Sequence, residues 1–436
     1  MMKNSSISKF DIKLLIAVII VVSFGILTIY SAGFDPIDKL NTGMYKRQIM
    51  WFVIGFIMMI GVSIVDYKFI GEFAPYIYAI NLFILILTTF FAPVIRGSRA
   101  WIDFGLFSIQ PSEFMKLSTV ILLAKYIEFR ERDLHNFREL FIPAIIILFP
   151  VLFIILQSDF GTAMIFVPIL FAMLFIGGAD ISHIVSILSI AFITFVIPLT
   201  LLYAEDLGRV SVISDFFNKG MDVFIVAGFF LFVATLFYLL HVFFIKKMFR
   251  YIYMPSFVFS LGLIFAPIVK RLLQGYQKNR ILAFLKPDQY PHDLGYNVIQ
   301  SKIAIGSGGL IGKGLLKGTQ TQLGFLPETT SDFIFSVISE EWGFIGVFIL
   351  LMVLFFIIFR SMKTALDSAD KFGSLLATGI TCVYFFHILI NVGITVGLIP
   401  VTGIPLVFVS YGGSNMMMSM IGLGLLMSIQ TKKSGF

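Results

Sequence analysis

The chain has a single cysteine, Cys382, so it cannot form an intramolecular disulfide and carries no redox signature. Its five histidines and that cysteine make no metal-ligand spacing. The glycines at 306, 308, 309, 312 and 314 match neither a Walker nor a dinucleotide pattern, and loop geometry is their simpler purpose. Short alternating segments are missing, which excludes a β-barrel. Heptads, short-period repeats and basic nucleic-acid motifs are missing too. Charge itself is scarce: 13% of 436 residues are charged and 58% are hydrophobic, with 51 phenylalanines. With a mean hydropathy of +0.97, a soluble globular domain is excluded.

What is present is a series of apolar runs, each long enough to cross roughly 30 Å of hydrocarbon as a helix. Spans are expected near 13–31, 48–65, 74–93, 113–129, 140–156, 161–177, 182–203, 222–245, 253–272, 332–359, 373–393 and 404–430. The first run lacks a small-residue cleavage site and reads as a retained span. Basic residues in short loops (Arg130, Arg132 and Arg138; Lys246, Lys247 and Arg250; Arg360, Lys363 and Lys371; Lys432 and Lys433) fall on the side of the N-terminus. By the positive-inside rule both termini are cytoplasmic, and loops 94–112, 273–331 and 394–403 face outward. Basic residues also stand on the outer side, among them Arg96, Arg99, Lys270, Arg271, Lys278, Arg280, Lys286, Lys302, Lys313 and Lys317. With a net charge of +7, they suit an anionic lipid head group or a phosphorylated ligand and no nucleic acid.

Ionisable groups within spans are costly and are therefore candidate functional groups. Asp332, Ser336, Ser339, Glu340 and Gly343 recur at helical spacing, with Glu340 and Glu341 roughly 12 Å from Asp332 at the helical rise. A second stripe is Tyr384, His387, Asn391 and Thr395. Gln110-Pro111-Ser112-Glu113 followed by Lys116 puts Glu113 and Lys116 one turn apart, with Pro111 suited to the first turn. Gln157-Ser158-Asp159 forms an acidic turn between two spans. The plain alternative in each case is that these groups satisfy one another and hold helices together, which is the preferred reading for the Tyr384 stripe.

Five blocks carry a family resemblance. They are Gly97-Ser98-Arg99-Ala100-Trp101-Ile102 with Ser108–Lys116, then Gln157–Ala163, then Tyr276-Gln277 with Arg280-Ile281. Residues 326–328 with 330–335 and Glu340-Glu341 follow, and last come Pro400–Leu406 with Val409–Ser414. In this order they resemble the SEDS family of RodA, FtsW and SpoVE, and IQSKIAIGSGG with KGTQTQLGFLPE is similar to its RodA branch.

The resemblance implies an all-α polytopic membrane bundle of about 10–12 helices, with one SEDS-type domain over 1–436 and a large extracytoplasmic loop at 273–331. It covers nearly the whole chain apart from about 178–250, where an extra helix pair is expected. It further implies a peptidoglycan glycosyltransferase that polymerises lipid II on the outer face of the bacterial cytoplasmic membrane during elongation. The implied partner is a class B penicillin-binding protein.

In such a reaction a carboxylate removes the attacking hydroxyl's proton, and cationic groups stabilise the departing pyrophosphate. The implied reaction uses no organic cofactor; a divalent cation, Mg or Mn, is a candidate participant, to be held weakly by carboxylates such as Asp159, Glu328 or Asp332 together with the substrate phosphate. Arg99, Lys116, Arg280 and Lys302 are the candidate cations; Glu113, Asp159, Glu328, Asp332 and Glu340 are candidates for the rest of the substrate site.

The sequence departs from the family at one place. The family's D-P-x-G-x-G-Y motif has its aspartate six residues before the tyrosine, and counting back from Tyr296 reaches Tyr290, with Pro291 beside it. Asp293 is the preferred replacement base and Asp288 the second; each also suits a plain turn. Three other readings stay open: a lipid II flippase, a non-catalytic scaffold for the penicillin-binding protein, and a division paralogue.

Overall fold

Apolar runs of this length fold as helices because a helix pairs its own backbone polar groups, which hydrocarbon would leave unpaired. A computed structural model describes residues 11–34, 40–95, 97–105, 107–131, 133–134, 136–206, 221–244, 247–272, 284 and 294–432. It forms two compact units, residues 1–178 with 296–436 and residues 179–295.

The larger unit runs α1 (Ile12–Ala32), α2 (Met44–Ile64), the short α3 (Tyr67–Glu72) and α4 (Ala74–Phe91). A two-residue hairpin follows, β1 (Ile102–Asp103) against β2 (Ser108–Ile109), with Ile102 opposite Ile109 and Asp103 opposite Ser108. Then come α5 (Pro111–Phe129), α6 (Phe141–Leu156) and α7 (Phe160–Gly177). The smaller unit holds α8 (Ile181–Asp206), α9 (Met221–Phe244) and α10 (Arg250–Leu272). The chain returns to the larger unit with α11 (Leu294–Gly308), α12 (Thr319–Gln322), α13 (Ile334–Leu366), α14 (Lys371–Thr395) and α15 (Gly413–Lys432).

Among the described residues, nine helices are long and apolar enough to cross a membrane. The other three expected spans are helices too, but α5 carries Glu113, Lys116, Lys125 and Glu128, while α10 has Pro255 and Pro267 and basic ends. The third, α15, begins at Gly413, nine residues later than the expected span at 404. Pro400 and Pro405 and the left-handed Phe408 (φ 64°) keep residues 400–412 out of a helix, although Ile404 and residues 406–410 are buried.

In the smaller unit, Val223, Ala227 and Leu263 form a buried cluster joined by Ile197, Val226 and Ile264. The Ser260 hydroxyl donates to the Ala227 carbonyl at 2.8 Å. Gly262 lets α10 approach α8, since a Cβ there would lie 2.5 Å from Ile193. Helices α8 and α9 occupy the 178–250 stretch.

In the larger unit, α13 is broken at Gly343, whose backbone (φ 63°, ψ −167°) is non-helical. The glycine-rich segment after α11 pairs with four backbone groups at the break. Lys313 and Gly314 N–H donate to the Glu340 and Glu341 carbonyls at 3.0 and 2.9 Å. Phe344 and Ile345 N–H donate to the Gly309 and Leu310 carbonyls at 2.9 and 3.0 Å. Such contact tolerates no side chains: a Cβ on Gly308 would sit 1.9 Å from the Ser339 oxygen, one on Gly312 2.1 Å from the Glu341 oxygen, and one on Gly343 2.3 Å from the Gly312 nitrogen.

At the opposite end, near the chain termini, Asp11 caps α1 by accepting from Leu14 N–H and also accepts from Arg360 and Gln430. Asp370 caps α14 and receives the Tyr67 hydroxyl, the Gly373 N–H and Lys68. Burial pushes the Asp370 carboxyl up, but the bonds from Tyr67, Gly373 and Lys68 outweigh it and hold the group below the ordinary carboxylate value.

Two outcomes follow. Gly343→Ala should destabilise by about 2 kcal/mol or more from left-handed strain and overlap, whereas Gly306→Ala, with open space around it, should be neutral or stabilising; thermal unfolding in detergent checks both. Asp370 is depressed, so its contribution is present above the unfolded value near pH 3.8 and is lost as pH falls through the folded value. The stability difference between wild type and Asp370→Asn should therefore shrink as unfolding is followed from about pH 7 to pH 3.

Candidate active site

Pro111 starts α5 and places Glu113 in its first turn, so Lys116 returns to the same face one turn later. Both are buried, at 3% and 0% exposure. Lys116 Nζ donates to Glu113 Oε1 at 2.7 Å and lies 2.7 Å from His387 Nε2 on α14, which is itself buried. Glu113 Oε2, Ser112 Oγ and Thr119 Oγ1 are buried with no hydrogen-bond partner.

Above this pair, Gln110 ties three elements together. Its backbone N–H donates to Ser414 Oγ in the first turn of α15 at 2.8 Å, and its amide donates to Asp159 Oδ2 at 2.7 Å. Asp159 is half-buried and caps α7 through the Thr162 N–H. Burial pushes its carboxyl above the ordinary value, against the opposing pull of Thr162, Lys116 and Gln110. Helices α5, α7 and α15 thus all begin here, with their positive dipole ends toward one place.

The segment 400–412 forms another wall of this site. Side chains pair part of its backbone: His387 Nδ1 lies 3.1 Å from the Pro405 carbonyl, and Asn391 donates to the Ile404 carbonyl at 2.8 Å and ties it to the Asp332 carbonyl at 2.9 Å. Gln48 on α2 donates to the Ser410 carbonyl and accepts from Gly412 N–H. Tyr384 donates to the Ser419 carbonyl at 2.6 Å. The second polar stripe is therefore occupied in holding elements together.

The other candidates are dispersed around this end of the unit. Arg99 is exposed, with its N–H on the Gln157 carbonyl. Lys302 is exposed on α11 and lies across Gly397, whose hypothetical Cβ would stand 2.3 Å from its Cε. Glu328 is exposed in a left-handed turn (φ 49°) and accepts from the Ser331 hydroxyl. Asp332 precedes α13, half-buried beside Gly403.

Glu340 is fully buried and saturated by the loop before it. It accepts from Lys313 (2.9 Å), Thr319 (3.1 Å), Gln320 N–H (2.9 Å) and Thr321, and so caps α12. Glu341 turns the other way, to the Ser31 hydroxyl at the end of α1 and the Leu316 N–H. Residues 273–283, with Tyr276, Lys278 and Arg280, and residues 285–293, with Lys286, Asp288, Tyr290, His292 and Asp293, lie outside the described residues; so do Arg96, Arg132, Lys246 and Lys433. No group of three or more His, Cys, Asp or Glu is placed to hold a metal ion among the described residues.

Spacing along one helix pairs Glu113 with Lys116 but gives no sign of His387 as the lysine's second partner, because the two lie on helices far apart in the chain. Gln48 is equally silent, its only sign being an amide just inside a span.

The family model for the cell cycle proteins FtsW, RodA and SpoVE matches residues 12–236 and 223–435. The chain belongs to this SEDS family. Peptidoglycan glycosyltransferase RodA of Treponema pallidum is 36% identical over 440 residues, covering 99% of this chain and 100% of the relative. Stage V sporulation protein E of Bacillus subtilis is 32% identical, covering 96% of each chain. Peptidoglycan glycosyltransferase MrdB of Escherichia coli is 30% identical, covering 97% of this chain and 94% of the relative. In fold, this SEDS chain is similar to a chain of a peptidoglycan synthase complex, with TM-score 0.69, 24% identity and coverage of 98% and 99%. It is also similar to RodA of Thermus thermophilus, with TM-score 0.60, 21% identity and 98% coverage of each. The protein is thus a multi-pass SEDS membrane protein, and the expected helical bundle is observed.

Glu113→Ala should cost about 3–5 kcal/mol by leaving Lys116 buried without its counter-charge, while the paired apolar change Glu113→Leu with Lys116→Met should recover much of that loss. Thermal unfolding of the solubilised variants measures both.

Proposed function

We propose that this chain is a RodA-type peptidoglycan glycosyltransferase that polymerises lipid II into glycan strands during cell elongation. The observation that carries this reading is its end-to-end similarity, at 36% identity, to a peptidoglycan glycosyltransferase RodA. The site geometry supports it: a buried Glu113–Lys116 pair and three converging helix N-termini stand where exposed Arg99 and Lys302 flank the same end of the unit.

In the reaction we propose, the 4-hydroxyl of an incoming sugar attacks the anomeric carbon of the growing glycan. The new C–O bond forms as the bond to undecaprenyl pyrophosphate breaks, and its electron pair leaves with the pyrophosphate. The hydroxyl proton passes to a carboxylate, for which Asp293 is proposed first and Asp288 second. Arg99, Lys302 and Arg280 are proposed to meet the pyrophosphate. We place the protein in the bacterial cytoplasmic membrane with both termini cytoplasmic, working beside a class B penicillin-binding protein.

The test is polymerisation of purified lipid II by the solubilised protein, with its cognate penicillin-binding protein present and transpeptidase-inhibited. Wild type should make strands and folded Asp293→Ala should make none. Strands from both would move the base to Asp288 or elsewhere, and none from wild type would sink the reading if a related polymerase works in the same mix.

A further inference from the structure

A lysine ammonium with no access to water must spend its donors on protein acceptors. Lys116 has two of these, Glu113 Oε1 and His387 Nε2, each 2.7 Å from Nζ. The tautomer of His387 follows from its neighbours. The Pro405 carbonyl can only accept, so Nδ1 carries the proton; the ammonium can only donate, so Nε2 offers its lone pair. A doubly protonated imidazole would set N–H against N–H.

The consequence falls on Glu113. Its Oε2 is buried without a partner. With no second acceptor, the ammonium would swing toward both carboxylate oxygens and close Oε2. His387 draws Lys116 to one side, so the carboxylate keeps one oxygen available.

We propose that His387 is a positioning residue for the transfer reaction: by accepting from Lys116 it leaves the buried Glu113 Oε2 uncommitted, so that a hydrogen-bond donor of the sugar or peptide can take it when substrate enters the site. This rests on the glycosyltransferase reading above. It also makes the Pro405 carbonyl, and through it the 400–412 segment, part of what sets the Glu113–Lys116 geometry.

Substitutions separate the two bonds of the ring. His387→Gln places an amide oxygen near the Nε2 position and keeps an acceptor for Lys116. His387→Asn keeps only a donor toward Pro405, and His387→Met keeps neither. In the lipid II assay, Asn and Met variants should lose about 10–100-fold in rate, as misplaced reactive groups do, while Gln should restore activity to within about threefold of wild type.

Asn or Met variants as fast as wild type, or a Gln variant as slow as Met, would overturn the positioning role alone. No strands from wild type would overturn the transfer reading and this role with it. A second measurement does not depend on the histidine variants folding. In ¹⁵N-histidine spectra, wild-type His387 should show a protonated Nδ1 and a hydrogen-bonded, unprotonated Nε2. The Nε2 signal should shift in Lys116→Met, and an unmoved signal would overturn the contact.

Discussion

Backbone amides and carbonyls that lie away from water must be paired, and the architecture of the larger unit follows from how two non-helical stretches meet that demand. At Gly343 the opened helix and the glycine-rich segment trade four hydrogen bonds, each supplying what the other lacks. Along 400–412 much of the pairing comes instead from side chains of two other helices, Gln48 of α2 and His387 and Asn391 of α14, beside backbone bonds such as Tyr411 N–H to the Thr330 carbonyl. Irregular backbone is tolerated because helices surround it, and it brings carbonyls and hydroxyls to a place that an unbroken helix would fill with apolar side chains.

The two stretches differ in how they resist change. The Gly343 junction is backbone against backbone, so it excludes any side chain at Gly308, Gly312 or Gly343. The 400–412 segment is held by long polar groups, and α1 lies against it through Gly25, where a Cβ would meet the Val409 oxygen at 2.6 Å. Polar groups that the sequence marks as out of place in a membrane thus divide into those that hold backbone and those that hold one another. Glu340 belongs to the first group and Glu113 and Lys116 to the second, while Asp159 belongs to both, accepting the Thr162 N–H and the Gln110 amide.

Helical spans were legible because hydrophobicity over eighteen or more residues leaves no other choice in a bilayer. The Glu113–Lys116 pair was legible for a similar reason, since both lie on one helix and spacing alone brings them together. His387 was visible only as a member of its own stripe, because its partner comes from another helix and nothing local announces that. The start of α15 was misplaced by nine residues because hydrophobicity continues through 404–412 while two prolines and a left-handed Phe408 stop the helix. The glycines after α11 read as loop geometry from sequence, but their reason, close backbone contact with a break in α13, needed the structure.

The length of α13 sets a level for the site. Its 33 residues would reach about 50 Å, well beyond a hydrocarbon core of about 30 Å. Residues 344–359 are free of charge and measure roughly 24 Å, ending at Arg360 on the side of the chain termini. Counting the core's thickness back from Arg360 puts the opposite boundary near Glu340. The stretch from Asp332 to Ser339, with the loop that Glu340 anchors, then stands at the height of the lipid head groups. Exposed Lys302 stands at the same height, since its neighbour Ser301 bonds Ser336, so the pyrophosphate of the proposed substrate, held by a membrane-buried tail, would come to it by sideways diffusion without being lifted out of the bilayer.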